Sequence, residues 1–189
     1  MQQRESNLKK KVVDKMIWFT SDLHLGHRAA INMCGRPFET VEEMNETIIR
    51  NFNSCVKKND IVYILGDIAH RTPVVEVNRL INRLNGKKIL CKGNHDKKYD
   101  VDLFEGIYDF LEIAVHGVNI SLMHYPMMSW PKSHYGSLHL HGHIHSKGDY
   151  NLQQKSDGVL RYDVGVDANE FYPVSIEQIK IFFEISLQA

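Results

Sequence analysis

Three short runs in the first half of the chain each stop at a loop that carries a carboxylate or an amide. Ile17–Thr20 leads into Ser21-Asp22, Ile61–Leu65 into Gly66-Asp67, and Lys88–Cys91 into Lys92-Gly93-Asn94-His95-Asp96. Helical patterns separate them. A turn or short helix runs from Asp22 to about Met33 and stops at Gly35. Thr40-x-x-Glu43 is a capping box, followed by Val41, Met44, Ile48, Phe52 and Cys55 at helical spacing. Thr72-Pro73 reads as an N-cap with proline at the first helical position. Val77, Leu80, Ile81 and Leu84 carry that helix to Asn85-Gly86. Strands joined through helices pair in parallel, because the crossover returns the chain to the same edge. In such sheets, sites assemble from the loops beyond the carboxyl ends of the strands, where Asp22, Asp67 and Asn94 all fall.

The second half changes character. Leu111–Val115 and Val118–Leu122 flank His116-Gly117 and predict a hairpin. Leu138–Leu140, Arg161–Val164 and Ile179–Ile185 are further strand candidates, the last because Ile179, Ile181, Phe183 and Ile185 alternate. A second, mixed or antiparallel sheet packed on the first would cover the apolar faces of both. With 189 residues, 43% hydrophobic and 24% charged, one domain over 16–189 is expected. Residues 1–15 hold Lys9, Lys10, Lys11 and Lys15, and read as a solvated leader.

Formal net charge is zero, which argues against a broad basic face gripping long duplex nucleic acid. Three cysteines without a C-x-x-C pair point to a reduced, cytoplasmic setting. No apolar run reaches membrane-spanning length, and no signal-peptide h-region is present. The unusual count is eleven histidines, most of them clustered beside Asp, Asn and Gly.

Five clusters stand out: Asp22-x-His24, Gly66-Asp67, Gly93-Asn94-His95-Asp96, His124, and His141-Gly142-His143. Together they offer carboxylate oxygens, imidazole nitrogens and one amide oxygen. That donor set suits Mn2+, Fe, Zn, Ni or Co and suits calcium poorly. Each cluster alone is weak, since Asp-x-His arises by chance and a lone histidine is more often a satisfied polar residue. All five in this order, three of them at strand ends, point to a metal site.

In that order they resemble the calcineurin-like metallophosphoesterase superfamily, whose signature is D-x-H, G-D, G-N-H-D/E, H, and G-H-x-H or H-G-H. The resemblance covers nearly the whole chain. It extends to a small bacterial and phage-type branch through Ser21-Asp22-Leu23-His24-Leu25-Gly26-His27, Arg36-Pro37-Phe38, His124-Tyr125-Pro126-Met127 and Leu140-His141-Gly142-His143-Ile144-His145. It implies an α/β fold, a four-layer αββα sandwich of two mixed sheets flanked by helices, with two divalent metal ions. It assigns Asp22, His24 and His143 to the first ion and Asn94, His124 and His141 to the second, with Asp67 bridging. His95 would reach the phosphate and the leaving group. Two such ions can share a hydroxide nucleophile and clamp the phosphoryl oxygens during in-line attack.

Substrate clues are fewer. The family's protein phosphatases carry G-D-x-V-D-R-G and R-G-N-H-E, whereas this chain has His70 before Arg71 and ends the later motif in Asp96. That departure favours phosphodiesters over phosphoproteins. Arg71 and Lys92 are candidates for the non-bridging oxygens, with surface solvation as the alternative. His27 and His145 flank ligand motifs and are candidates for lining the site. Asp96 either orients the His95 loop or a ring, or is only a turn acid. Tyr125, Met127, Met128 and Trp130 form either an aromatic wall or ordinary loop packing, and Ser129–Gly136 is a candidate lid.

A small or nucleotide-type phosphodiester is the expected substrate. A phosphomonoesterase of small metabolites, a nuclease on short single strands and a non-catalytic scaffold are the competing readings. The oligomeric state stays open.

Overall fold

The computed structural model describes residues 15–96 and 99–185. Apart from Lys15, the expected leader lies outside them. The first half alternates as its pattern predicts: β1 (Ile17–Thr20), α1 (Arg28–Met33), α2 (Val41–Cys55), β2 (Ile61–Ile64), α3 (Val74–Ile81), β3 (Lys87–Cys91) and a short β4 (Gly106–Tyr108). Then come β5 (Phe110–Val115), β6 (Val118–Met123), β7 (Leu138–His141), α4 (Asp149–Ser156), β8 (Arg161–Asp163), β9 (Val174–Ser175) and α5 (Ile176–Phe182).

Five strands form one sheet in the order β4-β3-β2-β1-β9, parallel except where β9 runs against β1. The other sheet has the order β5-β6-β7-β8, with only the β5–β6 hairpin antiparallel. Period-two alternation sorts each strand onto two faces. From the first sheet, Val62, Ile64 and Leu90 pack under Met44, Ile48, Phe52, Val77 and Leu80 of the helices. Phe19, Tyr63, Leu65 and Cys91 meet Ile120, Leu122, Leu138 and Leu140 of the second sheet. The outer face of the second sheet is polar, and α4 packs on it against β8. The layers are therefore helix, sheet, sheet, helix.

Two local expectations change. Ile179–Ile185 is not a strand. Ser175 caps α5 in a reciprocal box with Gln178, and Ile176, Ile179 and Lys180 are buried at helical spacing, whereas Ile181 is 70% exposed. The alternation that suggested a strand placed Ile181 on the buried face, and the cap overrides it. Thr72 is not the cap of α3 either. Its hydroxyl donates to the carbonyls of Leu25 and His70, and Pro73 takes the N-cap position.

Candidate metal centre and active site

The carboxyl ends of β1, β2 and β3 meet those of β6 and β7 at one edge of the sandwich. The β1 and β2 loops run side by side there. Asp22 N donates to the Gly66 carbonyl at 3.0 Å, and His24 N to that of Asp67 at 3.1 Å. Asp22, His24, Asp67, His143 and His145 all adopt left-handed φ between 48° and 74°. Each costs about 1 kcal/mol or more for a non-glycine residue, a strain that surrounding structure must hold in place. Glycines permit the crowding. A Cβ on Gly66 would sit 2.5 Å from Gly93 N and 2.7 Å from His124 Nδ1, and one on Gly142 would strike Ser21 Oγ and Asp22 Oδ2.

Asp67 lies at the middle. Its Oδ1 accepts from His95 N at 2.9 Å. Its Oδ2 faces His24 Nε2 at 3.9 Å, His95 Nε2 at 3.9 Å and His124 Nε2 at 3.6 Å. On one side stand Asp22, His24 and His145. The His24 and His145 Nε2 atoms are 3.2 Å apart, and His145 Nε2 is 3.8 Å from Asp22 Oδ1. On the other side, His124 Nε2 is 3.0 Å from Asn94 Oδ1 and 3.2 Å from His143 Nδ1.

Tautomers follow from the outer partners. His124 Nδ1 lies 2.7 Å from the Leu65 carbonyl, which only accepts, so Nδ1 carries the proton and Nε2 presents a lone pair inward. In the same way, His145 Nδ1 lies 2.7 Å from Asp167 Oδ2, turning Nε2 toward Asp22 and His24. Lone pairs and carboxylate oxygens thus face one another. The fully buried Asp22 Oδ1 has no hydrogen-bond partner among the described residues. Such a cluster is unfavourable alone and fits a divalent cation of N/O preference. The candidate donor atoms of Asp22, His24 and His145, and separately of Asp22, Asp67 and His124, lie within 4.8 Å of one another.

Charge in the cluster is set by burial. It pushes the Asp22 carboxyl up to about 7 and, with Arg36 and His145 nearby, lowers His24 to about 2. Burial also opposes charge on His145, but its hydrogen bonds to Asp167 and Cys34 and the nearby Asp22 push it up to about 10, so that without a cation Nε2 holds a proton, which a bound cation would displace to expose the lone pair.

Three carboxylates that are not in the centre hold its loops. Asp167 receives a bidentate pair from the buried Arg36 at 2.9 and 2.8 Å, and the same guanidinium donates to the carbonyls of Asp22 and Leu23. Asp163 accepts from Ser146 N, Ser146 Oγ and Gly165 N, fixing the loop after His145. Asp96 accepts from Asp67 N, Ile68 N, Gly93 N and Tyr99 Oη. It ties the Asp67 loop to the His95 loop and, among the described residues, bonds the ring hydroxyl of Tyr99 and no imidazole.

Residues 15–160 match the calcineurin-like phosphoesterase family. The protein belongs to that family. It is 34% identical over 171 residues to the uncharacterized protein MJ1445 of Methanocaldococcus jannaschii, covering 87% of this chain and 89% of that one. It is 29% identical over 160 residues to the Gene 66 protein of Mycobacterium phage L5, covering 68% and 77%. Among solved structures, a protein of unknown function from Aquifex aeolicus, AQ665, superposes with a TM-score of 0.71 at 28% identity, over 89% of this chain and 99% of that one. The Asp22–His24–His145 and Asp22–Asp67–His124 donor groups are the candidate cation sites of this family member.

Within this family member, the structure places several expected site residues elsewhere. His141 is not in the cluster. In β7, Leu138 and Leu140 face the intersheet core, so His139 and His141 point to the outer layer. There His141 Nδ1 donates to the Gly142 carbonyl at 2.8 Å and Nε2 accepts from Tyr150 Oη at 3.2 Å. His145, expected only to line the site, stands in the cluster instead. The matching motif is thus Gly142-His143-Ile144-His145, with His143 beside His124. Lys92 is turned away as well. Its backbone N donates to Tyr108 and extends the β3–β4 ladder, and its Nζ pairs with Asp109 at 2.8 Å.

The stretch Ser129–Gly136 is no lid. The β6–β7 pair is parallel, so this connection must return to the far edge. There Lys132 donates to Asn119, Trp130 is buried, and Tyr135 lies beside the His116-Gly117 turn. Of the expected aromatic wall, only Tyr125 stays at the site, its ring 4.5 Å from that of His143.

His27, Arg71 and His95 border a cavity of about 410 Å³ that opens beside His24 and His145. Imidazoles run through it in sequence: His24 to His27 at 5.4 Å between centroids, His27 to His70 at 4.8 Å, His70 to His95 at 4.0 Å.

Proposed function

We propose that the protein hydrolyses a small phosphodiester of nucleotide type with two divalent metal ions, Mn2+ first among the candidates. In this reading Asp22, His24 and His145 hold one ion, Asn94, His124 and His143 hold the other, and Asp67 is shared. The observation that carries it is the position of Asp67, whose Oδ2 lies 3.9 Å from His24 Nε2 on one side and 3.6 Å from His124 Nε2 on the other. Bound divalent ions at such a site supply a coordinated water of lowered pKa and positive charge for the phosphoryl oxygens.

The chain's own residues do the rest. The Leu65 carbonyl and Asp167 fix the tautomers of His124 and His145, so their lone pairs need no reorientation when a cation or substrate arrives. The His95 backbone is tied to Asp67 Oδ1, while its half-exposed side chain borders the open cavity. A protonated His95 there donates to the departing ester oxygen. Arg71 stands at the same opening as a fork for non-bridging oxygens. Room beside His95 for a second ester group favours a diester over a monoester. A reducing, cytoplasmic setting belongs to the same proposal, with Cys34, Cys55 and Cys91 all free thiols.

The test is hydrolysis of bis(p-nitrophenyl) phosphate against p-nitrophenyl phosphate by Mn2+-loaded protein. The diester is expected to be the better substrate. A strong preference for the monoester makes the protein a phosphomonoesterase, and no hydrolysis of either ester removes the enzymatic reading.

A further inference from the structure

The cavity beside His95 has two unlike walls. One is cationic or imidazole in character, with His27, His70, Arg71 and His95. The other is apolar: Ala29 and Met33 of α1, with Ile144 from the loop between His143 and His145. No carboxylate lines it among the described residues. Ala29 is small and leaves the room open. Met33 is 77% exposed, and its flexible thioether can adjust to a ligand. The amide and imidazoles of Asn94, His124 and His143 do not border it.

We infer that this cavity is the leaving-group subsite and takes a flat heteroaromatic body bearing an anion, of the nucleoside monophosphate class. The inference rests on the proposed phosphodiester hydrolysis and specifies its substrate. Position comes first. In-line displacement sends the leaving group away from the nucleophile, and His95, tied to Asp67 on one side, borders this cavity on the other. Whatever departs beside His95 enters here. Size comes second. At about 410 Å³ the space lies in the range of small-molecule sites, and an alkyl alcohol would leave most of it unfilled. Chemistry comes third. A planar ring can stack on the imidazoles that line the cavity, with Ala29, Met33 and Ile144 supplying apolar contact. Arg71, exposed at the rim and without an ion-pair partner among the described residues, is placed to take a phosphate carried by that ring system.

The experiment uses the Mn2+-loaded full chain and reads binding apart from turnover. Calorimetry with AMP, adenosine and ribose 5-phosphate should show AMP binding at least about tenfold more tightly than either half. Ala29→Trp fills the cavity at an exposed helix position and should weaken AMP and adenosine by about tenfold or more, with ribose 5-phosphate changed less than about threefold. Arg71→Ala should reduce AMP to the level of adenosine. Met33→Asp, at a site that folding tolerates, should weaken AMP if Ala29→Trp proves unstable on melting. Equal binding of ribose 5-phosphate and AMP, or AMP affinity unchanged in both α1 variants, overturns the subsite. Hydrolysis of bis(p-nitrophenyl) phosphate is scored separately. Its absence defeats the enzymatic reading even where AMP binds, and its presence without AMP binding defeats only the subsite.

Discussion

His139 and His141 lie four residues before His143 and His145, yet the two pairs live in opposite surroundings. The strand pair is saturated. His139 Nδ1 donates to the Ser121 carbonyl and Nε2 accepts from Met127 N, and His141 is closed in the same way by Gly142 and Tyr150. The loop pair is open. His145 has Asp167 on Nδ1 and only other acceptors in front of Nε2, and His143 Nδ1 confronts the lone pair of His124. A buried histidine whose two nitrogens each have a protein partner is structural. One that keeps a nitrogen aimed at carboxylates and at other imidazoles is built for a cation. The boundary between the pairs is where β7 ends and the backbone turns to positive φ.

The sharpest way to break this contrast is to exchange the losses. His145→Ala should lower Mn2+ content, read by elemental analysis, and cut diester turnover by more than the roughly 10–100-fold that loss of an outer partner costs. His141→Ala should keep its metal and change turnover less than about threefold, while losing about 1–3 kcal/mol of stability from the unsatisfied partners. Metal loss in His141→Ala with retention in His145→Ala would reverse the assignment. Next in size is His95→Ala, at a residue that belongs to neither donor group. It should retain both ions and lose about 10²-fold or more in turnover. Full turnover in that variant would remove His95 from the chemistry.

Asp167→Asn tests how far the open arrangement depends on its support. The carboxylate is held by Arg36 and fixes the proton on His145 Nδ1. Its loss should weaken Mn2+ binding by about 10–100-fold at the Asp22–His24–His145 group and leave the His124 group unchanged. Two-site calorimetry separates these. Equal weakening at both would mean that Asp167 acts on the fold as a whole.

The sequence could be read for what lies along one element and not for what meets across several. Asp22, Asp67 and Asn94 were legible because each directly follows a strand. The two sheets were legible because the pattern changes from strand-helix alternation to hairpin spacing. The choice between His141 and His145 was open to reading: Leu138 and Leu140 alternate with His139 and His141, which already puts the latter two on the polar face. Asp163 and Asp167 carried no such signal, and Arg36 showed only as part of the Arg36-Pro37-Phe38 motif, without a role. Arg36 and Asp167 are separated by 131 positions, and what joins them is a buried guanidinium that also reaches two backbone carbonyls. α5 was lost to an alternation of four apolar residues that coexists with helical spacing, and Ser175-x-x-Gln178 was the overlooked discriminator. α4 was missed because it packs polar residues, Asn151 and Gln154, on a polar sheet face.

The smallest expected effect concerns the saturated pair alone. Burial is the main cause that lowers His139 to about 4, and the same holds for His141. In the unfolded chain both titrate near 6.5. Between these values the unfolded state binds more protons than the fold, so stability rises with pH. Their contribution is complete above about pH 6.5 and is lost as pH falls toward 4. Asp22 and His145, whose folded values are raised, bias the slope the other way, so the wild-type profile mixes opposed contributions. His139→Gln isolates one of them, since glutamine can still donate to Ser121 and accept from Met127. The difference in unfolding free energy between wild type and variant, measured by urea titration from pH 4.5 to 6.5, should change by at most about 1.4 kcal/mol per pH unit, with the variant flatter. A difference that does not vary with pH would mean that His139 is protonated in the fold, and the saturated pair would then lose its claim to be neutral and structural.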